Sequence, residues 1–265
     1  MALPIATWNI NSVRLRIDLI RRFIAEAAPD VLCLQETKAM DEVFPRAAFA
    51  ELGYHHQHLH GMKAYNGVAI VSRVPLADRR TQNWCDRQDC RHAVADLPGG
   101  VELHNLYIPA GGDIPDPEAN PKFAHKLQFL DEMTRSFAEA AARGKAMIVV
   151  GDLNVAPLET DVWSHKQLLD VVSHTPIETE KLGRFQRAGR FVDAVRHFIP
   201  PEQHLYSWWS YRARDWDVSD RGRRLDHIWV TPGLQSALAG AAVHRHARGW
   251  ERTSDHVPVT VRLGA

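Results

Sequence analysis

Residues 145–154 read KAMIVVGDLN. Ala146–Val150 is apolar at every position and of strand length, so it reads as a strand covered on both faces. Gly151-Asp152-Leu153-Asn154 follows at once and sets polar groups just past the strand end. The same arrangement recurs along the chain. Leu3–Trp8 runs into Asn9-Ile10-Asn11, Val31–Leu34 into Gln35-Glu36-Thr37-Lys38, and Val101–Ile108 carries Tyr107 near its end. Leu225–Val230 holds Asp226 near its start, and Asp255-His256 precedes the run Val257–Leu263. Gly67–Ser72 reads as a further strand.

Helices lie between some of these strands. Asn120-Pro121 is an N-cap followed by proline at the first helical position. Phe123, Leu127, Leu130, Phe137 and Ala141 then recur at helical spacing, and Gly144 is placed to end the helix. A second helix is expected from Ser12 to about Ala27, with Ile17, Ile20 and Ile24 as its apolar stripe and Pro29-Asp30 as its stop. Shorter helices are expected at Glu178–Ala188 and Phe191–Phe198. The mixture reads as an α/β sandwich with helices outside two sheets. Without a linker, low-complexity segment or repeat, residues 1–265 read as a single domain. Two stretches, 110–119 and 211–224, are too rich in Gly, Pro or charge for core and read as functional loops.

Composition narrows the class. Apolar residues are 45% and charged residues 24%, as in an ordinary globular protein. The N-terminus lacks the pattern of a signal peptide, and the apolar runs fall far short of the ~20 residues of a membrane span. Three cysteines, an odd count, suit a reducing cytoplasm. Cys85, Cys90 and His92 lack a fourth ligand and zinc-site spacing, so free thiols are the expectation. The net charge of zero argues mildly against nucleic acid, but the distribution is uneven. Lys181, Arg184, Arg187 and Arg190 cluster, and Arg212, Arg214, Arg221, Arg223 and Arg224 crowd the second loop among Trp208, Trp209, Tyr211 and Trp216. Arginine with aromatics suits phosphate gripping and wedging into a base stack, although Asp215, Asp217 and Asp220 are interspersed.

Strand ends on one edge of a sandwich converge. A ring of Asn, Glu, Tyr, Asp and His there, without thiolates, offers hard oxygen ligands that select Mg²⁺ or Mn²⁺. A carboxylate could activate water, while Asn, Tyr and His could donate hydrogen bonds to phosphate oxygens. Each element alone is more often a turn or a cap; all six together are not. Neither a Walker loop nor a Gly-x-Ser-x-Gly elbow is present.

The ordered segments TWNIN, LQETK, NGVAIVSR, YIPAGG, GDLNVAP, RRLDHIWV and SDHVPV span residues 7–259. They resemble the endonuclease/exonuclease/phosphatase superfamily, and LQETK with the stretch WWSYRARDWDVSDRGRRLD resembles its exonuclease III and abasic-site endonuclease branch. The resemblance implies a four-layered α/β sandwich of two mixed β-sheets packed face to face. It implies Mg²⁺- or Mn²⁺-dependent abasic-site endonuclease, 3′→5′ exonuclease and 3′-end-trimming activities. Their partner would be double-stranded DNA with abasic sites, nicks or blocked 3′ ends, and a monomer is expected. By motif position Glu36 would be the principal metal ligand, with Asn9 or Asn11 nearby. Asp152, helped by Asn154, would orient or deprotonate the attacking water. Tyr107 would contact the phosphate, His256 would bond it with Asp226 behind, and Asp255 would assist the metal or the leaving group. Arg14, Lys38 and Arg212 would be DNA-facing residues.

The resemblance also marks two departures. Asn11 stands where some relatives carry Asp, which removes a negative charge near the metal. The pocket for a baseless sugar would have Trp208, Arg223 and Leu225 as walls, and Arg223 stands where relatives have an apolar residue. Rival readings are a branch acting on inositol phosphates, sphingomyelin or poly(A) RNA, and a degenerate binding module; the intact polar ring argues against the module.

Overall fold

The computed structural model describes residues 2–264. In chain order the first half contains β1 (Leu3–Asn9), α1 (Ile17–Ala27), β2 (Val31–Gln35), α2 (Arg46–Glu51), β3 (His56–His60), β4 (Val68–Ser72), β5 (Ala77–Thr81), β6 (His92–Leu97) and β7 (Val101–Tyr107). Then come α3 (Pro121–Ala142), β8 (Met147–Asp152), α4 (His165–Leu168), α5 (Pro176–Ala188), β9 (Val192–Asp193), β10 (Trp208–Trp209), α6 (Trp216–Ser219), β11 (Gly222–Arg223), β12 (Asp226–Val230), β13 (Leu238–Val243) and β14 (Val259–Leu263).

One six-stranded sheet has the order β13-β14-β1-β2-β4-β3, the other β5-β6-β7-β8-β12-β9. Each is built around one parallel pair, β1 with β2 and β7 with β8, flanked by antiparallel strands. A parallel pair needs a crossover, which α1 and α3 supply. The inner faces pack against each other through Ile5, Val31, Ile70, Leu103, Ile148 and Ile228. Outside one sheet lie Ile20, Phe23 and Ile24 of α1 and Phe49 of α2; outside the other lie Phe129, Leu130, Met133 and Phe137 of α3 and Phe185 of α5. Helix, sheet, sheet, helix are the four layers of the sandwich.

A polar bridge crosses the inter-sheet core. Asn105 of β7 donates to the Leu34 and Ala69 carbonyls of the opposite sheet at 3.0 and 2.9 Å. Its Oδ1 accepts from Gln35 Nε2 at 2.7 Å. At Gly151 in β8 a Cβ would collide with the Leu106 carbonyl oxygen, so glycine lets β7 and β8 stay paired to their ends.

Asn120 caps α3, accepting from Lys122 N–H at 3.0 Å, with Pro121 behind it as expected. Two helices differ from expectation. The first begins at Ile17 rather than Ser12, because Asn11 and Ser12 adopt left-handed backbone (φ 47° and 90°) and Ser12 N–H bonds to Glu36 O. Phe191–Phe198 is not a helix: Val192–Asp193 joins β12 as an edge strand, and Asp193 Oδ1 accepts from the Val195 and Arg196 N–H groups to form a turn. Strands β3, β5, β6 and β13 escape the apolar pattern; HQHLH and ADRRT are too polar to signal one. No described helix is long and apolar enough to cross a membrane.

Burial holds the His227 imidazole down to about 3, with the Arg224 charge adding to the effect. His104 and His92 are also lowered, chiefly by burial. Unfolded, each takes up a proton near pH 6.5, so the unfolded chain binds more protons below that pH and stability falls as pH drops. The urea midpoint is expected to decrease between about pH 7.5 and about pH 5. A midpoint that does not fall would show that these three imidazoles do not dominate the pH dependence of stability.

Candidate active site

The carboxyl ends of the two parallel pairs meet at one edge of the sandwich. Asn9 ends β1, Glu36 follows β2, Tyr107 ends β7 and Asp152 ends β8. In register, Tyr107 and Asp226 lie beside Asp152 on its two neighbouring strands. His256, just before β14, reaches the same place through its backbone bridge to Trp208.

Side chains close the ring. Asn9 Nδ2 donates to Glu36 Oε1 at 3.0 Å and to Asp152 Oδ2 at 2.9 Å, while Asn9 Oδ1 accepts from Asn11 N–H at 3.1 Å. The Tyr107 hydroxyl donates to Glu36 Oε1 at 2.9 Å. Asp152 Oδ1 accepts from Asn154 N–H at 3.0 Å, and Oδ2 from Asn154 Nδ2 at 3.1 Å. Asp226 Oδ2 lies 2.8 Å from His256 Nδ1, which leaves His256 Nε2 3.7 Å from Asp152 Oδ2. Ser207 also belongs here, although the sequence does not single it out. Its Oγ donates to Asp226 Oδ2 at 2.7 Å and accepts from the Leu225 and Asp226 N–H groups, both at 3.0 Å. Nothing local in the sequence around Ser207 signals this.

Charge follows from geometry. Burial, with the charges of Asp226 and Glu36, pushes the Asp152 carboxyl up to about 7 against the opposing pull of His256 and Asn9. Burial alone would depress His256, but Asp226 and Asp152 outweigh it and raise the imidazole to about 10. Burial would raise Glu36, but hydrogen bonds from Asn9 and Lys38 hold it below its ordinary value. Burial and the charges of Glu36 and Asp152 keep the Tyr107 hydroxyl protonated.

The oxygen donors present fit a hard divalent ion. Lys38 Nζ lies 2.9 Å from Glu36 Oε2 and 2.6 Å from Asn11 Oδ1, so a cationic group already sits among these oxygens. Asp255 Oδ1 accepts from Asn11 Nδ2 at 3.4 Å. Asn9, expected as a ligand, turns its NH₂ to both carboxylates because Asn11 N–H fixes its oxygen. Asp152, Asp226 and His256 also bring ligand atoms within 4.8 Å of one another and could hold an ion. There, however, His256 already bonds one carboxylate and faces the other.

Beside the ring opens a cavity of about 560 Å³ whose lining includes Glu36, Asp152 and His256 together with Trp163, Trp208 and Arg223. Leu225 and Arg212 line it too. Arg223 Nη1 bonds to Val172 O at 2.9 Å and Ser173 Oγ at 2.8 Å, with its guanidinium 5.3 Å from the Trp208 ring. Trp208 Nε1 donates to Asp255 Oδ2 at 2.9 Å. The Arg221 guanidinium lies 4.7 Å over Trp163. Asp217 and Asp220 pair with Arg245, and Asp215 caps α6, so the interspersed aspartates are engaged away from Arg212. Arg14 is exposed and does not line the cavity. The basic cluster on α5 is partly consumed by ion pairs, Lys181 with Asp131 at 2.6 Å and Arg184 with Glu180 at 2.8 Å.

The model of the Endonuclease/Exonuclease/phosphatase family matches residues 6–256. The chain belongs to this family. Within it, exodeoxyribonuclease III of Haemophilus influenzae is 29% identical over 96% of this chain and 97% of its own. A Neisseria enzyme, described in one structure as a 3′ phosphatase bound to a product DNA hairpin and in another as a 3′-5′ exonuclease, is 31% identical with a TM-score of 0.91. The alignment covers 99% of this chain and 100% of that one. An AP endonuclease from Archaeoglobus fulgidus has the same TM-score and coverage at 30% identity. These relatives place the chain in the exonuclease III and abasic-site endonuclease branch of the family.

Replacing Ser207 by Ala leaves the Leu225 and Asp226 N–H groups without an acceptor and removes a donor to Asp226. A loss of about 1–3 kcal/mol in stability is expected, from urea unfolding. Unchanged stability would mean that water substitutes for the hydroxyl.

Proposed function

We propose that this protein is a metal-dependent DNA phosphodiesterase of DNA repair, acting chiefly at 3′ ends by 3′→5′ exonuclease and 3′-end-processing action, with abasic-site cleavage its lesser activity. The observation that carries this reading is that one cavity is lined both by Asp152 and the Asp226-bound His256 and by the cationic and aromatic side chains Arg212, Arg221, Arg223, Trp163 and Trp208. The relatives named above support DNA as the substrate. The shared core of the two sheets supports residues 1–265 acting as one catalytic domain.

Glu36, Asn11 and Asp255 would hold the metal, with Mg²⁺ or Mn²⁺ suited to their oxygen donors. When bound, the ion supplies neutralisation of phosphate charge and of the leaving oxygen. Asp152, raised toward neutral, is matched to accept a proton from the attacking water, and Asn154 and Asn9 fix its two oxygens. His256 presents Nε2–H toward the phosphate because Nδ1 is committed to Asp226. Tyr107 donates to Glu36 and stands beside the phosphate position. Trp208, Leu225, Arg212 and Lys38 flank the path of the strand, Arg14 lying farther out on the DNA-facing surface. In the cavity wall Arg223 is braced by Val172 and Ser173, so it presents positive charge to an anionic 3′ terminus, whereas a baseless sugar would desolvate it without compensation.

The decisive test is a cleavage panel with 3′-phosphate, recessed, nicked and abasic duplexes, a phosphoinositide and poly(A), with Mg²⁺ or Mn²⁺ and with excess chelator. Turnover on the DNA substrates, abolished by chelator and by Glu36→Ala, is expected; Asp152→Asn and His256→Asn should lower kcat by about 100-fold or more with DNA binding retained. Full activity in chelator, or turnover confined to the phosphoinositide or RNA, would refute the assignment.

Arg223→Leu is expected to raise abasic-site cleavage relative to 3′-phosphate removal by about tenfold, about 1.4 kcal/mol of relative transition-state stabilisation. A uniform loss across all duplexes would instead make Arg223 a general phosphate clamp.

A further inference from the structure

Lys126 of α3 and Glu178 of α5 form an ion pair with both side chains fully buried. No catalytic step above uses it, and a pair so deeply buried is rarely a net gain in stability. Its hydrogen bonds explain its position. Lys126 Nζ donates to Asn154 O at 2.7 Å and to Ala110 O at 3.3 Å. Glu178 accepts from Ser173 N–H at 2.9 Å with each oxygen, and from Thr175 N–H and Oγ at 3.2 and 2.6 Å. The pair therefore grips three loops at once: the one after β7, the turn after β8 and the segment before α5. All three line the cavity, through Ala110, Asn154 and Ser173.

Two of the gripped residues have left-handed backbones, a region that asparagine tolerates and serine resists. Asn154 has φ 54° and Ser173 φ 89°. Asn154 in this conformation directs both its N–H and its side-chain amide at Asp152. Ser173 in its conformation offers Oγ to Arg223 and its carbonyl to Ala156 N–H at 2.8 Å. Asp161, Asp193, Arg196 and Arg224 form a separate buried charge network, so Lys126 and Glu178 answer chiefly to each other.

We propose that the Lys126–Glu178 pair is a positioning device that sets Asn154, and through it Asp152, in register with the Arg223 wall of the same cavity. Neither residue touches the reacting atoms. Lys126 locks the carbonyl of the Asn154 turn from behind, Glu178 locks the N–H groups of the Ser173 turn, and the ion pair fixes the distance between the two. The inference rests on the hydrolytic role given to Asp152 above.

The test compares Lys126→Met/Glu178→Gln with wild type on a 3′-phosphate duplex. The double variant removes both charges, so no lone ion is buried, and the amide oxygen left at position 178 still accepts from the Ser173 and Thr175 N–H groups. At saturating metal we expect kcat to fall at least tenfold while KM changes less than threefold and the melting temperature by only a few degrees. Wild-type kcat in a folded double variant would overturn the proposal and leave the pair structural. So would parallel losses of kcat and melting temperature with the residual rate restored by cooling. If the double variant does not fold, Lys126→Arg decides. It keeps the charge and the pair but displaces the donor from Asn154 O, so lowered kcat with unchanged KM supports positioning and wild-type kcat refutes it. A wild type that hydrolyses none of the DNA substrates would instead refute the assigned function.

Discussion

Everything at this site depends on one amide. Asn9 Nδ2 bonds Glu36 in its own sheet and Asp152 in the other, so a single NH₂ group spans the sandwich at its active edge. Two carboxylates this close repel each other, and the amide hydrogens lie between them. The bridge is possible only because the two parallel pairs present their carboxyl ends side by side. Parallel pairing brings crossover helices with it, so the demand for one shared edge also accounts for helices on both outer faces.

Beneath that bridge the protein repeats one solution. Polar groups are taken out of water and held by hydrogen bonds that span distant parts of the chain. Asn105 and Gln35 tie the sheets together under the site, Ser207 holds Asp226, and Trp8 Nε1 holds the His256 carbonyl at 3.0 Å. Rigid placement matters because the groups facing the cavity must be aimed before substrate arrives. The backbone shows the cost: Asn11, Glu36, Lys38 and Asn154 all have φ between 47° and 54°. Asparagine tolerates this region, but glutamate and lysine visit it rarely, and such residues gather where strand ends are bent inward toward a site.

The polar ring is readable in the sequence because each member follows or opens an apolar run. A strand end has few ways to face, so Asn9, Glu36, Tyr107, Asp152, Asp226 and His256 group together from residue order alone. Ser207 is not readable. It sits just before a two-residue ribbon strand with no apolar run to mark it, and its role depends on Asp226, distant in the chain. The start of α1 is hidden for a related reason: Ser12 resembles an N-cap, but a long-range bond to Glu36 O holds its N–H and delays the helix to Ile17. The polar edge strands β3 and β5 escape notice because they are paired on one side only and need little apolar surface.

By itself the sequence determined the apolar central strands, the long helix α3, the family resemblance and the oxygen-rich residue types at the strand ends, since these reside in residue type and local spacing. Only the tertiary structure decided how the charges are shared. It turned the Asn9 amide toward both carboxylates, seated Lys38 against Glu36 and Asn11, withdrew α5 basic residues into ion pairs, and laid Arg223 over Trp208 in the cavity wall. Those outcomes depend on burial and on distances between residues far apart in the chain, and electrostatic strength varies too steeply with both for sequence order to fix it.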